Sequence, residues 1–292
     1  MMSSGLGVYM VPSRSAEAWR GELARSASVA GWRYEDLDKG ASPIEVGSEK
    51  VVFVTENADL FEGYPPEKTR VVFWSPEEVV ALLRAMDPGG TDAQLIGRAS
   101  VYLAQADRLI RAGAIGVDPI SPSSLHAELG IIRLPAEIVG RIEPHRPAGP
   151  LSMYRMPGSA SLGQQVRWEP TMFRFPTSGP GGGGRPAISL SGRARPLMHG
   201  PFVHLPSGLW RAKCSFSADI EGRGVRLEVH WGEADIDGGS LVDIVKSGSY
   251  DLEMEAWIRS DKPAELRITM PNASLYGELE IANVDIELIH LA

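Results

Sequence analysis

The chain has 292 residues, of which 43% are hydrophobic and 23% are charged, so it is long enough to bury two separate cores. A formal net charge of −8 at pH 7 and a pI near 5.4 argue against a nucleic-acid partner and against binding to an anionic membrane, since both attract basic proteins. The single cysteine, Cys214, excludes an intrachain disulfide and a zinc site built from several cysteines, and its place in an alternating stretch predicts a small buried core residue.

The sequence carries no targeting or membrane-spanning signal. Its first 19 residues lack a basic segment followed by a long apolar run, and no apolar run reaches the length of about 18 residues that a span needs. We therefore expect a cytoplasmic protein without a membrane span.

The first 142 residues alternate predicted strands and helices. Continuous apolar runs predict strands at 6–12, 50–55, 70–74 and 115–117, because runs of this kind suit strands covered on both faces. Helices are predicted over 16–30, from Ser75 to Met86, from Thr91 to Gly113, and over 125–142 with a break at Pro135. This order predicts an α/β domain with a mostly parallel sheet.

A connector rich in proline and glycine is predicted over residues 143–163, and the pattern after it has a period of two. Residues 164–292 then predict an antiparallel β-sandwich or jelly roll, with turns every 8 to 12 residues. The predicted strands are 164–175, 187–190, 202–205, 209–218, 225–231, 240–245, 250–258, 265–270 and 275–291. Asn283 interrupts the last run, which is therefore either two strands or one strand with a bulge.

The stretch Gly200-Pro201-Phe202-x-x-Leu205-Pro206-x-Gly208-x-Trp210-Arg211-Ala212 resembles the opening of a galactose-binding-like β-sandwich domain. The closing strands at 264–268 and 279–286 fit the same pattern, so the resemblance covers about residues 187–292. Such domains occur in bacterial proteins of surface-polysaccharide biosynthesis, often beside glycosyltransferase modules. The resemblance implies a jelly-roll fold and a carbohydrate or protein partner in glycan assembly, and it implies no particular set of binding residues.

The runs Val51–Asn57 and Arg70–Trp74 more distantly resemble the first Rossmann-like half of a two-domain glycosyltransferase. The sequence has no glycine-rich dinucleotide fingerprint, no Asp-x-Asp metal pair at a strand end and no second Rossmann-like domain. A resemblance of this extent implies a nucleotide sugar as the ligand of the N-terminal domain.

Polar side chains follow two of the predicted parallel strands. In open α/β sheets ligands bind beyond the carboxyl ends of the strands, and a helix N-terminus offers free N–H groups to an anion. The candidate crevice residues are Thr55, Glu56, Asn57, Asp59 and Ser75, with Glu56 and Asp59 as candidate catalytic carboxylates. The alternative is that all five are ordinary caps and turns.

Histidines offer a second group of candidates. His126 and Glu128 lie two residues apart on a predicted helix start, which is a poor spacing for a metal pair. His199, His204 and His230 could bind zinc if the fold brought them together, but nothing in the sequence establishes that geometry.

Sugar binding requires an aromatic face together with planar polar groups. Trp257 and Tyr276 fall at outward or loop positions and are candidates for that face, whereas Trp210 and Trp231 lie on inward alternations and are predicted to be core. Asp235 and Asp237 lie in an acidic loop that could hold a structural calcium ion or a sugar, or could be a solvated turn.

The sequence thus predicts a non-catalytic carbohydrate-binding or accessory protein of bacterial surface-glycan biosynthesis, with sugar or partner bound by the sandwich. One alternative is a small or degenerate glycosyltransferase with its nucleotide-sugar site in the N-terminal domain. A further alternative is a structural docking subunit, which would present a broad apolar patch.

Overall fold

The computed structural model describes residues 5–40, 50–119, 125, 129, 149–176, 187–221, 224–236 and 238–292. The chain divides into two units. One contains the described residues of 1–89, 102–148 and 154–159, and the other contains those of 90–101, 149–153 and 160–292.

The first unit is built on a parallel sheet of five strands. They are β1 (Leu6–Met10), β2 (Arg33–Asp36), β3 (Val51–Thr55), β4 (Thr69–Val72) and β5 (Ile115–Val117), in the order β2-β3-β1-β4-β5. The helices are α1 (Ala16–Val29), α2 (Pro76–Met86) and α3 (Asp92–Arg111), and the boundary between the units passes through α3. The predicted α/β class with a mostly parallel sheet is confirmed.

Continuous apolar runs form the middle of this sheet. β1, β3 and β4 are buried at every position, which is the reason that their runs do not alternate. α1 buries Trp19 and Leu23 completely and ends at Val29, one residue before the prediction, with Gly31 at φ +73° beyond its C-cap.

Two features of the first unit depart from or lie beyond the prediction. β2 was not predicted, because its residues are polar and half-buried or exposed at this edge of the sheet. Of the predicted helix 125–142, the structure describes Leu125 and Leu129, which are helical and buried, and the rest lies outside the described residues.

The second unit contains two antiparallel sheets. Its strands are β6 (Gln165–Trp168), β7 (Ala187–Ser189), β8 (Arg195–Met198), β9 (Pro201–His204), β10 (Gly208–Asp219), β11 (Val225–Glu233), β12 (Ser240–Ile244), β13 (Gly248–Ile258), β14 (Pro263–Met270) and β15 (Glu278–Leu291). The sheet that we call the β10 sheet has the order β13-β10-β15-β6, with β7 also paired to β15. The β14 sheet has the order β12-β11-β14-β8, with β9 also paired to β14. The predicted all-β antiparallel sandwich is confirmed.

Alternation decides which side chains enter the sandwich core. Trp210 and Cys214 on β10 are fully buried, and Trp231 on β11 is 7% exposed, so their predicted core positions are confirmed. The Trp231 indole donates a hydrogen bond to the Trp210 carbonyl (3.0 Å), and its ring lies 5.7 Å from that of Trp168. Burial raises the pKa of the Cys214 thiol to about 12, which keeps it protonated and unreactive.

Apart from shifts of one or two residues at strand ends, three strands of this unit differ from the prediction. The predicted strand 164–175 ends at Trp168, because Pro170 begins a 3₁₀ turn. β8 was not predicted, since Pro196 breaks its apolar pattern. The run around Asn283 is one strand, β15, whose register against β10 shifts between the partners of Ser215 and Phe216.

No helix in the described part of the chain is long and apolar enough to cross a membrane.

Candidate functional site

The predicted crevice residues of the α/β unit make local contacts at the ends of β2 and β3. The Thr55 hydroxyl donates to Asp38 (2.7 Å) and accepts the backbone N–H of Asn57 (2.9 Å). Glu56 pairs with Arg20 (2.8 Å), and the same guanidinium also holds Asp36 (2.5 Å) and Asp38 (2.7 Å). A carboxylate already held by a guanidinium is a poor general base, so the geometry does not favour catalysis by Glu56.

Arg20 also affects the ionisation of Asp38. Burial alone would raise the pKa of Asp38, but hydrogen bonds from Arg20 and Thr55 outweigh it and hold that pKa below its usual value. Asp38 therefore stays charged and orders the turn after β3 by accepting the backbone N–H of Glu56 (2.8 Å).

The remaining crevice candidates are caps. The Asn57 side chain accepts the N–H of Asp59 (3.0 Å), and Asp59 pairs with Arg108 (3.2 Å) at an exposed position. The Ser75 hydroxyl accepts the N–H of Glu78 (3.4 Å) as the N-cap of α2. These contacts match the alternative of ordinary caps and turns.

The acidic loop of the sandwich is neutralised by nearby cations. Asp235 pairs with Lys262 (2.5 Å), whose hydrogen bond lowers the pKa of Asp235, and Asp243 pairs with Arg226 (2.7 Å). Asp237 lies outside the described residues. Within the described part of the chain, including the described residues of the acidic loop, no three His, Cys, Asp or Glu side chains are placed to hold a metal ion.

The histidine candidates fall in different places. His204 Nδ1 lies 3.0 Å from the carbonyl of Ser260, whereas His230 Nε2 lies 3.2 Å from that of Glu233. His199 lies on a short bridge to Arg174 instead. His126 and Glu128 lie outside the described residues.

Tyr276 and Trp257 occupy separate exposed positions. Tyr276 is 47% exposed in the loop before β15, where its backbone carbonyl accepts a hydrogen bond from the Ser274 hydroxyl (2.8 Å). Ser274 and Asn272 line a shallow cavity of about 370 Å³ together with the Arg226–Asp243 pair. Trp257 lies on β13 and is 58% exposed.

The strand register assembles an aromatic row around Trp257. Leu209 on β10 lies opposite Trp257 on one side and opposite His290 of β15 on the other, so the three residues cross the β10 sheet in one line. The rings of Trp257 and His290 are 5.7 Å apart with a 60° angle between their planes.

A charged row adjoins the aromatic one on the same face. Arg211 lies between Glu255 and Glu287, with its guanidinium 2.8 Å from the first carboxylate and 3.7 Å from the second. Further along, Lys213 pairs with Asp251 (3.0 Å). We call the two rows the Trp257 surface; its members are Trp257, Leu209, His290, Arg211, Glu255 and Glu287.

The Trp257 surface combines the groups that a sugar requires. An exposed indole offers a face for the C–H side of a pyranose, and the planar guanidinium and carboxylates beside it can bond its hydroxyls. Of its members the sequence predicted Trp257, while Arg211, Glu255, Glu287 and His290 were missed. Alternation marks each as outward-facing, but only the cross-strand register shows that they are neighbours.

Comparison with known proteins yields likenesses among solved structures alone. No protein-family model and no curated protein matches the chain. A CBM36-1 domain of a multidomain xylanase from the hindgut metagenome of Trinervitermes trinervoides is 8% identical, with 42% of this chain and 96% of that one covered and a TM-score of 0.32. The C-terminal CBM6 of a laminarinase from Zobellia galactanivorans is 12% identical (42% and 99% covered, TM-score 0.29), and a family 35 carbohydrate-binding module from Clostridium thermocellum is 10% identical (42% and 97%, TM-score 0.29).

Proposed function

We propose that the sandwich binds carbohydrate at the Trp257 surface. The observation that carries this proposal is the exposed Trp257 indole in line with His290 and directly beside the Arg211 row. The Trp257 side chain is 58% exposed, so its aromatic face is open to a ligand.

The charged row favours a glycan over an apolar protein partner. Arg211 and its carboxylate partners are between 30% and 45% exposed, so their polar atoms are within reach of ligand hydroxyls. A docking subunit would instead present a broad apolar patch, and the row next to Trp257 is ionic.

The biological setting belongs to the same proposal. The resemblance of the Gly200–Ala212 stretch to galactose-binding-like domains supports an accessory, non-catalytic role in bacterial surface-glycan biosynthesis. The ion pair between Glu56 and Arg20 supports the non-catalytic side of this proposal, because it occupies the carboxylate that a transferase would use as a base.

Binding of bacterial oligosaccharides to the full chain, measured by calorimetry, tests the proposal. We expect Trp257→Ala to weaken the affinity at least about tenfold, which corresponds to about 1.4 kcal/mol, while Trp257→Phe retains most of it. Trp257 is the most exposed of the described tryptophans, and five of the other six are at most 7% exposed, so bound sugar should also protect Trp257 fluorescence from acrylamide.

The matched control is Tyr276→Ala, which removes another exposed aromatic ring away from the Trp257 surface. If Tyr276→Ala and Trp257→Ala lose glycan affinity equally, or if Trp257→Ala keeps full affinity, the glycan binds elsewhere than the Trp257 surface. Absence of binding to every glycan tested would refute a carbohydrate ligand.

A further inference from the structure

Glu265 on β14 is a buried carboxyl group to which no described residue donates a hydrogen bond. Its side chain is 4% exposed, and its ion-pair contact in the described part of the chain is Arg267 Nη1 at 3.8 Å, beyond hydrogen-bond length. Nothing described in the structure donates a hydrogen bond to either of its oxygens. Burying a carboxyl group without partners destabilises a fold, so an unpaired one calls for an explanation.

Alternation places Glu265 on the side of β14 away from the sandwich core. Ala264 and Leu266, its neighbours in the chain, are both fully buried in that core. Arg267 follows on the same side as Glu265, and His230 of β11 is its cross-strand partner. Three polar side chains from two adjacent strands thus share one patch of the β14 sheet.

The break between β8 and β9 adds a fourth side chain, His199. Glu265 lies in register with Pro201, and the N–H of Leu266 bonds to the Gly200 carbonyl (2.8 Å), so the break lies directly beside Glu265. His199 is held there by two backbone hydrogen bonds with Arg174 (2.9 and 3.1 Å).

Phe202 shapes the same corner. Its ring packs edge-on against His199 with centroids 5.8 Å apart. Its backbone has φ +60°, a left-handed conformation that is strained for an aromatic residue and that surrounding contacts must impose.

The charges in this patch act on one another. Burial raises the pKa of Glu265, while Arg267, His199 and His230 lower it in part. Burial also lowers the pKa of His199, so its imidazole is neutral at pH 7 and can donate or accept. Arg174 makes no ion pair with a described residue, so together with Arg267 it leaves an excess of positive charge.

We propose that this patch, the Glu265 cluster, is a second ligand site that binds a hydroxy acid. The ligand carboxylate lies against the guanidinium groups of Arg174 and Arg267, which match its geometry. A ligand hydroxyl donates to Glu265 and supplies the hydrogen bond that this carboxyl lacks. A neutral polyol would leave Arg174 without a counter-ion among the described residues, and a simple carboxylic acid would leave Glu265 without a hydrogen-bond donor.

The Glu265 cluster is independent of the proposed function. It lies on the β14 sheet, whereas the Trp257 surface belongs to the β10 sheet. The members of the cluster are Arg174, His199, His230, Glu265 and Arg267. Either site can therefore be disproved without affecting the other.

Titration of the full-length Trp257→Ala variant with glucuronate, methyl glucoside and acetate tests the proposal, because this variant lacks the indole proposed to bind sugars at the Trp257 surface. Glucuronate carries both groups, methyl glucoside lacks the carboxylate, and acetate lacks the hydroxyls, so we expect the latter two to bind at least tenfold more weakly. Arg174→Gln changes an exposed side chain, and we expect it to weaken glucuronate binding at least tenfold. Glu265→Gln should do the same while preserving the shape of the side chain.

The Trp257→Ala background separates this site from the Trp257 surface, and one further control separates it from general charge. Arg193→Gln, made in the same Trp257→Ala background, removes an exposed arginine that is not in the cluster and should leave glucuronate affinity unchanged. The proposal is overturned if acetate or methyl glucoside binds as tightly as glucuronate. It is also overturned if Arg193→Gln weakens glucuronate binding as much as Arg174→Gln does, or if glucuronate does not bind at millimolar concentration. Circular dichroism of each variant excludes loss of fold as the cause.

Discussion

At the scale of single residues, Glu265 links stability to pH. Its pKa in the folded protein is raised, chiefly by burial, so the fold binds its proton more tightly than the unfolded chain does. Glu265 therefore contributes to stability below the pKa that it has in the unfolded chain, and this contribution is lost as the pH rises through its pKa in the folded protein. At pH 7 the ionised carboxyl group destabilises the fold.

We expect Glu265→Gln to stabilise the protein at pH 7 by about 1 kcal/mol, the order of the penalty for a buried unsatisfied polar group. The gain should shrink as the pH falls below about 4.3, the pKa of glutamate in an unfolded chain, because Glu265 then becomes protonated in both states. Thermal unfolding followed by circular dichroism at several pH values measures it. Glu228→Gln on β11 of the same sheet is the control and should change little; a loss of stability in Glu265→Gln at pH 7 would contradict the argument.

At the scale of elements, Gly208 determines how closely β10 and β15 approach. A Cβ atom at this position would lie 2.3 Å from the carbonyl oxygen of His290 and 2.9 Å from the Leu288 side chain. The first of these neighbours is backbone, so the strands themselves would have to move. Gly208 also precedes the register shift at Leu209, where the aromatic row of the Trp257 surface begins.

Gly208→Ala should therefore destabilise the protein by roughly 2–3 kcal/mol, within the range for severe backbone clashes. The same substitution at Gly21, in the middle of α1 with nothing within 4 Å of its added Cβ, should instead stabilise by about 1 kcal/mol, the helix preference of alanine over glycine. Chemical denaturation of both variants makes the comparison. If Gly208→Ala unfolds at the wild-type denaturant concentration, the close approach is not rigid.

At the scale of the whole molecule, the net charge of −8 disfavours binding to polyanions such as nucleic acids. The cations on the outward face of the β10 sheet are matched by carboxylates, as Arg211 and Lys213 show, so this face offers no basic stripe to a phosphate backbone.

We expect no retention on heparin and no binding to single- or double-stranded DNA tighter than about 10⁻⁴ M at physiological salt, the weak end of non-specific affinity. Fluorescence anisotropy with labelled oligonucleotides provides the measurement, with a basic DNA-binding protein as the positive control. Binding at micromolar concentration that weakens with salt would show a basic surface that net charge conceals.

Local signals in the sequence predicted much of both folds. The apolar runs of β1 and β3 indicated buried parallel strands, and Ser75 with Pro76 marked the start of α2, because capping needs only neighbours along the chain. Alternation on β10 separated the buried Trp210 from the outward Arg211, since side-chain direction in a strand follows from position alone.

The sites depended on contacts between distant residues. Thr55 and Glu56 lie at a strand end as predicted, yet Asp38 bonds to both of them and Arg20 pairs with Glu56, and no local pattern shows those contacts. Polar β2 has no apolar signal, because a sheet edge needs little burial to pair.

By itself, then, the sequence determined the order of the elements other than β2 and β8, the two fold classes, the core tryptophans Trp210 and Trp231 and the exposure of Trp257, all of which follow from period and from near neighbours. Only the tertiary structure decided which outward residues meet. Strand register brings His290 to Trp257 across Leu209, and the break beside Pro201 brings His199 to Glu265. Register is a property of paired strands, and one strand's sequence carries no record of which residue lies opposite.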